Sequence, residues 1–329
     1  MKSTPYGNSK SLIFAPMEGV TDEPYRMAIG KLFPEWDYYS TDFYRVPTVG
    51  NINAKRVHDH FGARTFQNEE LRKKTTYQIL TTARAQTEQV VQAVSELNVD
   101  HLDLNLGCPS KKVNAHKGGA YLLSDLEELK RIIRLIRSNF KKTFTVKIRI
   151  GYRDDSSFED SLKLFEDEGV EAITLHARTR DQLYQGIADW EYIKKAVKLV
   201  NIPIIGNGDI WSVHDVNRMF DETDCHAVMI GRGALKTPWL ATLFYEHQNN
   251  LDFISDEYLL DIRKDYLDLY FYELEKEYRK LGLDDHNILK RFKSFSRYLF
   301  DDYADGEIVR GRFLRSMKLD EFLSHLDRL

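Results

Sequence analysis

The 329 residues are 42% hydrophobic and 30% charged, the balance of a globular chain able to bury one large core and a smaller one. A formal net charge of −4 argues weakly against a polyanionic partner, unless basic residues cluster locally. Two cysteines, Cys108 and Cys225, exclude a disulfide framework and a zinc cluster, and no apolar run nears the roughly 20 residues needed to span a bilayer.

The N-terminus shows no apolar signal segment, so a reduced, cytoplasmic protein without membrane or metal is expected. Up to about residue 245, short β-rich runs alternate with helical stretches. The strand candidates are Ser11–Ala15, Asp37–Asp42, Thr75–Leu80, His101–Leu106, Thr143–Ile150, Ala172–Ala177, Ile202–Gly206 and His226–Gly231. Arg64–Glu69 reads as a small additional β element before the third run. Ser124-Asp125-Leu126-Glu127 and Ser156-Ser157-Phe158-Glu159 read as capping boxes, and Gly169 as a helix stop.

Eight β-runs, each followed by a helix, predict a closed (β/α)8 TIM barrel. A doubly wound sheet would need a glycine-rich dinucleotide turn after its first strand, but that strand runs into Ala15-Pro16-Met17-Glu18-Gly19. After about Asn250 only helical patterns remain: Asp256–Leu281 with Gly282 as its stop, His286–Asp301, and roughly Glu307–Leu329. The expected organisation is therefore a barrel over 1–248 and an appended all-α helical domain over 249–329. Between His286 and Lys318, eight lysines and arginines face four carboxylates. A solvated helical face and an RNA footprint explain that surplus equally well.

In such barrels the chemistry lies at the C-terminal ends of the strands. Cys108 lies past the fourth run, in a turn set by Gly107 and Pro109, and His176 ends the sixth; both belong to that active face. Cys225, His101 and His226 precede or begin strands and are expected to be structural. In Val146-Lys147-Ile148-Arg149-Ile150, alternation sends Lys147 and Arg149 to one face. A lysine inside a barrel needs an anion or a strong acceptor, which could be a strand carboxylate such as Asp103 or an electron-rich cofactor ring. Gln78 is a similar buried polar candidate. Gly206-Asn207-Gly208-Asp209 and Gly231-Arg232-Gly233 end the last two strands, the recurrent phosphate site of this fold.

Ala15-Pro16-Met17-Glu18-Gly19-Val20-Thr21-Asp22, Asp103-Leu104-Asn105-Leu106-Gly107-Cys108-Pro109, Val146-Lys147-Ile148-Arg149, Leu175-His176-Ala177-Arg178-Thr179, Gly206-Asn207-Gly208-Asp209-Ile210 and Val228-Met229-Ile230-Gly231-Arg232-Gly233 resemble tRNA-dihydrouridine synthases. Thr41-Asp42-Phe43-Tyr44-Arg45-Val46 and the Trp211 that follows Ile210 look closest to the bacterial subgroup acting at D-loop position 16. The resemblance implies an FMN-dependent, NADPH-driven reductase (NADH being the alternative reductant) that saturates the C5–C6 bond of a tRNA uridine. It also implies a monomer whose helical domain binds the tRNA.

By the same resemblance, Cys108 is the proton donor to C5. Pro16, Met17 and Glu18 line the flavin, and Gln78, Lys147 and His176 contact its ring. Asn207, Gly208, Asp209, Gly231 and Arg232 hold the ribityl phosphate region, while Asn105 and Arg178 touch the uracil. Two competing readings are a flavin barrel acting on a free pyrimidine such as dihydroorotate, and a tRNA-binding scaffold without catalysis.

Overall fold

The computed structural model describes residues 5–7, 10–247, 256–303 and 305–329. Nine strands are present among them: β1 (Ser11–Phe14), β2 (Tyr39–Ser40), β3 (Tyr44–Arg45), β4 (Thr75–Leu80), β5 (His101–Leu106), β6 (Thr143–Arg149), β7 (Ala172–His176), β8 (Ile204–Asn207) and β9 (Ala227–Ile230). All pairings are parallel, in the order β1-β9-β8-β7-β6-β5-β4-β2, with β3 paired to β4. An Ile13–Tyr38 bridge closes the ring, with Phe14 N donating to Tyr38 O at 2.9 Å. The expected eight-stranded barrel is therefore what the chain forms. Helices on the outside bury the outer faces of the strands, so β4 and β5 are buried along their whole length.

The register sets the layers of the interior. Asn105 pairs with Lys147, Arg149 with His176, and His176 with Asn207, so these side chains climb together to one rim. At the other end the Tyr6 ring packs at a tilt against His101, whose ring nitrogens lie 3.0 Å from Thr76 Oγ1 and 2.9 Å from Thr145 Oγ1. Burial holds this imidazole down at about pKa 3, neutral and structural as expected. Cys225 is a buried thiol beside Gly206, and His226 is bound to Gly7 O at 3.1 Å.

Several local expectations are corrected. Arg64–Glu69 is not a β element but parts of two short helices, Ala63–Gln67 and Glu69–Lys74. The first is started by Glu23, whose carboxylate accepts from Arg64 N at 2.6 Å and Thr65 N at 3.1 Å; the second is started by Asn68, which accepts from Leu71 N. Asp37–Asp42 shrinks to the two residues of β2, because Asp37 and Tyr38 turn their amides to Leu12 O of β1. Neither predicted capping box forms. Asp125, not Ser124, caps the Leu126–Asn139 helix, and Ser156 bonds Asp154 instead of a helix amide. The capping box that does form is Ser212 with Asp215.

The expected boundary at residues 248–249 lies outside the described residues. Beyond it run the helices Asp256–Lys280, Asp285–Phe295, Gly306–Arg315 and Leu319–Ser324. The first packs along the Glu23–Leu32 helix, with the Tyr270 hydroxyl donating to Tyr25 at 3.1 Å and Lys31 paired to Glu273 at 2.6 Å. Arg291 donates to Gly19 O at 2.8 Å, and the Tyr298 ring lies 6.3 Å from Trp211. The tail thus flanks the loops that follow β1 and β8. Among the described residues no helix is long and apolar enough to cross a membrane, and no cluster of metal ligands occurs.

Candidate active site

A cleft opens at the C-terminal ends of the strands, lined by Pro16, Met17, Lys147, His176, Asn207, Gly208, Asp209, Gly231 and Arg232 together with Ala15, Tyr184, Ile210, Trp211, Met229 and Gly233. Residues far apart in sequence therefore meet where the strand-end rule places them. Glu18, Gln78, Asn105, Cys108 and Arg178 stand outside this lining.

Lys147 faces the cleft from β6. Its Nζ donates to Asn207 Oδ1 at 3.1 Å, and Asn207 in turn donates to Met229 O at 2.7 Å. The lysine does not form the ion pair with Asp103 that its position allowed. Asp103 is instead held by Gln78 Nε2 at 2.8 Å and Thr145 Oγ1 at 2.7 Å, and burial raises its carboxyl to about pKa 6. Burial first, and the Arg149 charge second, push Lys147 down to about pKa 8. A buried ammonium with one neutral acceptor is electrostatically unfinished.

The last two strands end in a cradle. Gly208 has φ +121°, and a Cβ there would sit 2.8 Å from the Ala188 methyl and 3.0 Å from His176 Cδ2. Asp209 accepts from Arg178 at 2.6 and 3.0 Å, from Arg232 at 3.2 Å and from Ala188 N at 2.7 Å. Burial opposes its ionisation, but these donors hold its carboxyl below the usual range. The Arg232 guanidinium lies between the rings of Tyr184 and Trp211, 4.9 and 5.0 Å from their centroids. With Lys147, Arg149, Arg178 and Arg232 around His176, and one aspartate shared by the last two, the cleft suits a ligand with an anionic end.

The remaining predicted residues form a second layer. Arg178 is buried and spends its donors on Asp209 and on the carbonyls of Gln185 and Gly186, so it orders the loop after β7. Gln78 links Asp103 to Asn105, whose Oδ1 accepts from Gly107 N at 3.1 Å and Cys108 N at 3.0 Å. Cys108 packs with Leu80, Val113 and Phe43. Burial raises its thiol pKa, aided by Glu18 and opposed by the Ser110 amide, Arg45 and Arg149, so it is a neutral thiol. Burial, with Lys147, Arg149, Arg178 and Arg232 nearby, keeps His176 neutral too. Its Nε2 faces Arg178 Nη1 at 3.4 Å, which assigns the ring proton to Nδ1.

Sequence reasoning missed Tyr184 and read Trp211 only as a mark of the subgroup, not as part of the cleft. Both are aromatic residues in loops of the active face beside a predicted cation, a signal visible in hindsight. It also missed that Arg149 bonds Gly107 O, Thr179 O and Leu183 O at 2.8–2.9 Å, tying the cysteine turn to the β7 loop.

Fold and cleft define a (β/α)8 barrel with an anion-receiving cleft over its last strands and a buried, protonated cysteine beside it. The model for the family Dihydrouridine synthase (Dus) matches residues 13–295, and the chain belongs to this family. A tRNA-dihydrouridine(16) synthase of Cupriavidus necator is 34% identical over 234 residues, 70% of this chain and 72% of the relative. The tRNA-dihydrouridine(16) synthase of Shewanella oneidensis is 34% identical over 236 residues, covering 70% and 73%. A tRNA-dihydrouridine synthase B of Pasteurella multocida is 31% identical over 254 residues, covering 73% and 70%.

Proposed function

We propose that the protein reduces uridine 16 in the D-loop of tRNA to 5,6-dihydrouridine, with FMN as its bound cofactor and NADPH as reductant. The observation that carries the reading is the pairing of family membership with a buried neutral thiol beside an anion-receiving cleft. The residues present suit a flavin mononucleotide: the half-satisfied Lys147 offers a cation to an electron-rich ring, and Gly208, Gly231 and Arg232 surround a space fit for a phosphate.

When bound, the flavin supplies a hydride to C6 of the uracil. Every other task falls to the chain. Cys108 holds a proton until C5 becomes basic and then delivers it. Asn105 fixes the Cys108 turn by accepting from two backbone amides. Pro16 and Met17 wall one side of the cleft, with Glu18 following in the same loop; Lys147 and His176 face its interior, and Asn207 orients Lys147. Asp209 and Arg178 brace the loop that carries Tyr184, and Gln78 braces Asn105. The base must leave its stack to reach the cleft, as enzymes acting on a base require.

The test is position-resolved mapping after incubating the purified holoenzyme with NADPH and unmodified tRNA. Dihydrouridine at position 16 is expected. Dihydrouridine confined to another position overturns the assignment of the target, and turnover of free uracil without action on tRNA overturns the substrate class.

A further inference from the structure

Three consecutive loops on the Cys108 side of the mouth contain no carboxylate: residues 43–53, 81–86 after β4, and 107–124 after β5. The same loops carry Arg45, Arg84, Lys111, Lys112, His116 and Lys117, all exposed. No ion pair engages any of them within the described residues, whereas Lys31, Arg134 and Lys195 elsewhere on the surface each hold a carboxylate. Arg45 lies over the Phe43 ring, which packs against Cys108, and Lys117 lies over Tyr121. A Thr82–Gly118 bridge joins the second and third loops into one surface. In a chain of net charge −4, five unpaired lysines and arginines in one place are an electrostatic feature that self-repulsion disfavours unless an anion is met there.

None of these side chains lines the cleft. A polyanion lying on open surface would meet several at once. Sheet order sets β4 opposite β8 and β5 three strands from both β8 and β1, while β2 alone separates β4 from β1; the tail places Arg291 against Gly19 after β1 and Tyr298 beside Trp211 after β8.

We propose that the carboxylate-free rim grips the tRNA backbone on the Cys108 side of the target nucleotide. The strand then spans the mouth with its base turned inward. The inference rests on the reading of tRNA as substrate. Phosphate contacts of this kind position the strand and carry no sequence information.

The test compares holoenzyme with a Lys111→Ala/Lys112→Ala/Lys117→Ala variant, measuring binding to an unmodified tRNA transcript across a salt series. Each lost phosphate contact lowers the slope of log affinity against log salt by about 0.7–0.9. The rim variant should therefore bind about 10-fold or more weakly at low salt, with the slope reduced by about 2 and flavin content unchanged. A Lys194→Ala/Lys195→Ala/Lys198→Ala variant removes equal charge from the Glu191–Leu199 helix on the outer wall and should bind as wild type does. Unchanged affinity and slope in the rim variant overturn the proposal. So does equal weakening in both variants, which reports bulk charge, or a raised KM for NADPH with tRNA binding intact, which reports a small-anion site. Wild-type enzyme that neither binds tRNA nor forms dihydrouridine defeats the parent reading and the rim with it.

Discussion

A thiol that acts as an acid must keep its proton until transfer, and the packing of Leu80, Val113 and Phe43 around Cys108 gives it that property. Cys108→Ala should retain flavin and accept electrons from NADPH, yet form dihydrouridine at least about 100-fold more slowly. Because burial raises the thiol pKa, single-turnover uridine reduction should stay level through neutral pH and decline only above the ordinary thiol value of about 8.5. A decline centred below that value would mean that the thiolate is the working form. Lys147 poses the reverse problem. Its pKa of about 8 in the folded chain lies below the value of about 10.4 in an unfolded one, so burying its charge destabilises the fold. The penalty is present in full below pH 8 and fades as pH rises toward 10.4, amounting to roughly 3 kcal/mol at neutral pH. Lys147→Met should therefore raise the Tm of the flavin-free protein at pH 7, by an amount that shrinks at pH 10, while abolishing flavin retention. Both residues were legible in the sequence, since position at a strand end and alternation along β6 are local signals. The partners of Lys147 were not, because choosing between Asp103 and Asn207 requires the stagger of the closed barrel.

At the scale of elements, the site depends on loops held by strand residues. Arg149 reaches from β6 to Gly107 O on one side and to Thr179 O and Leu183 O on the other, fixing two loops to each other. A lysine offers a point charge without the planar fork and cannot serve three carbonyls on two loops. Arg149→Lys should leave flavin content intact, accelerate hydrogen exchange of the amides at 179–187, and slow dihydrouridine formation by about 10-fold or more. Unaltered exchange in that loop would show that other contacts hold it. The barrel strands were readable because β-rich runs alternate with helical ones within short windows. The helices at 63–67 and 69–74 were misread as β because the cap that starts the first is Glu23, some 40 residues earlier. Tyr184 escaped for a related reason. Its place over Arg149 and Arg232 follows from where Arg178 pins the carbonyls of Gln185 and Gly186, which no sequence window contains.

For the whole molecule, two segments that sequence periodicity separates are joined by buried polar contacts as well as apolar packing. Leu267, Tyr270, Phe271, Leu274 and Tyr278 of the Asp256–Lys280 helix are all buried, and Tyr270 and Tyr278 reach Tyr25 and Asp22 of the barrel. Glu273 and Glu277 are only 4% and 3% exposed, and barrel residues Lys31 and Arg64 neutralise them. Arg64 also pairs with Glu23, the carboxylate that starts the Ala63–Gln67 helix, so one guanidinium ties the β1 helix, a βα-loop and the tail. An interface with this much buried charge and aromatic surface should not open by itself. We therefore expect barrel and tail to unfold in one cooperative transition, with calorimetric and van't Hoff enthalpies equal. Arg64→Met should leave the Glu23 carboxylate without its guanidinium and Glu277 with Lys280 alone, costing roughly 3 kcal/mol and lowering the denaturant midpoint without splitting the transition. Two resolved transitions in the wild-type protein would show instead that the tail is an independently folding domain resting on the barrel.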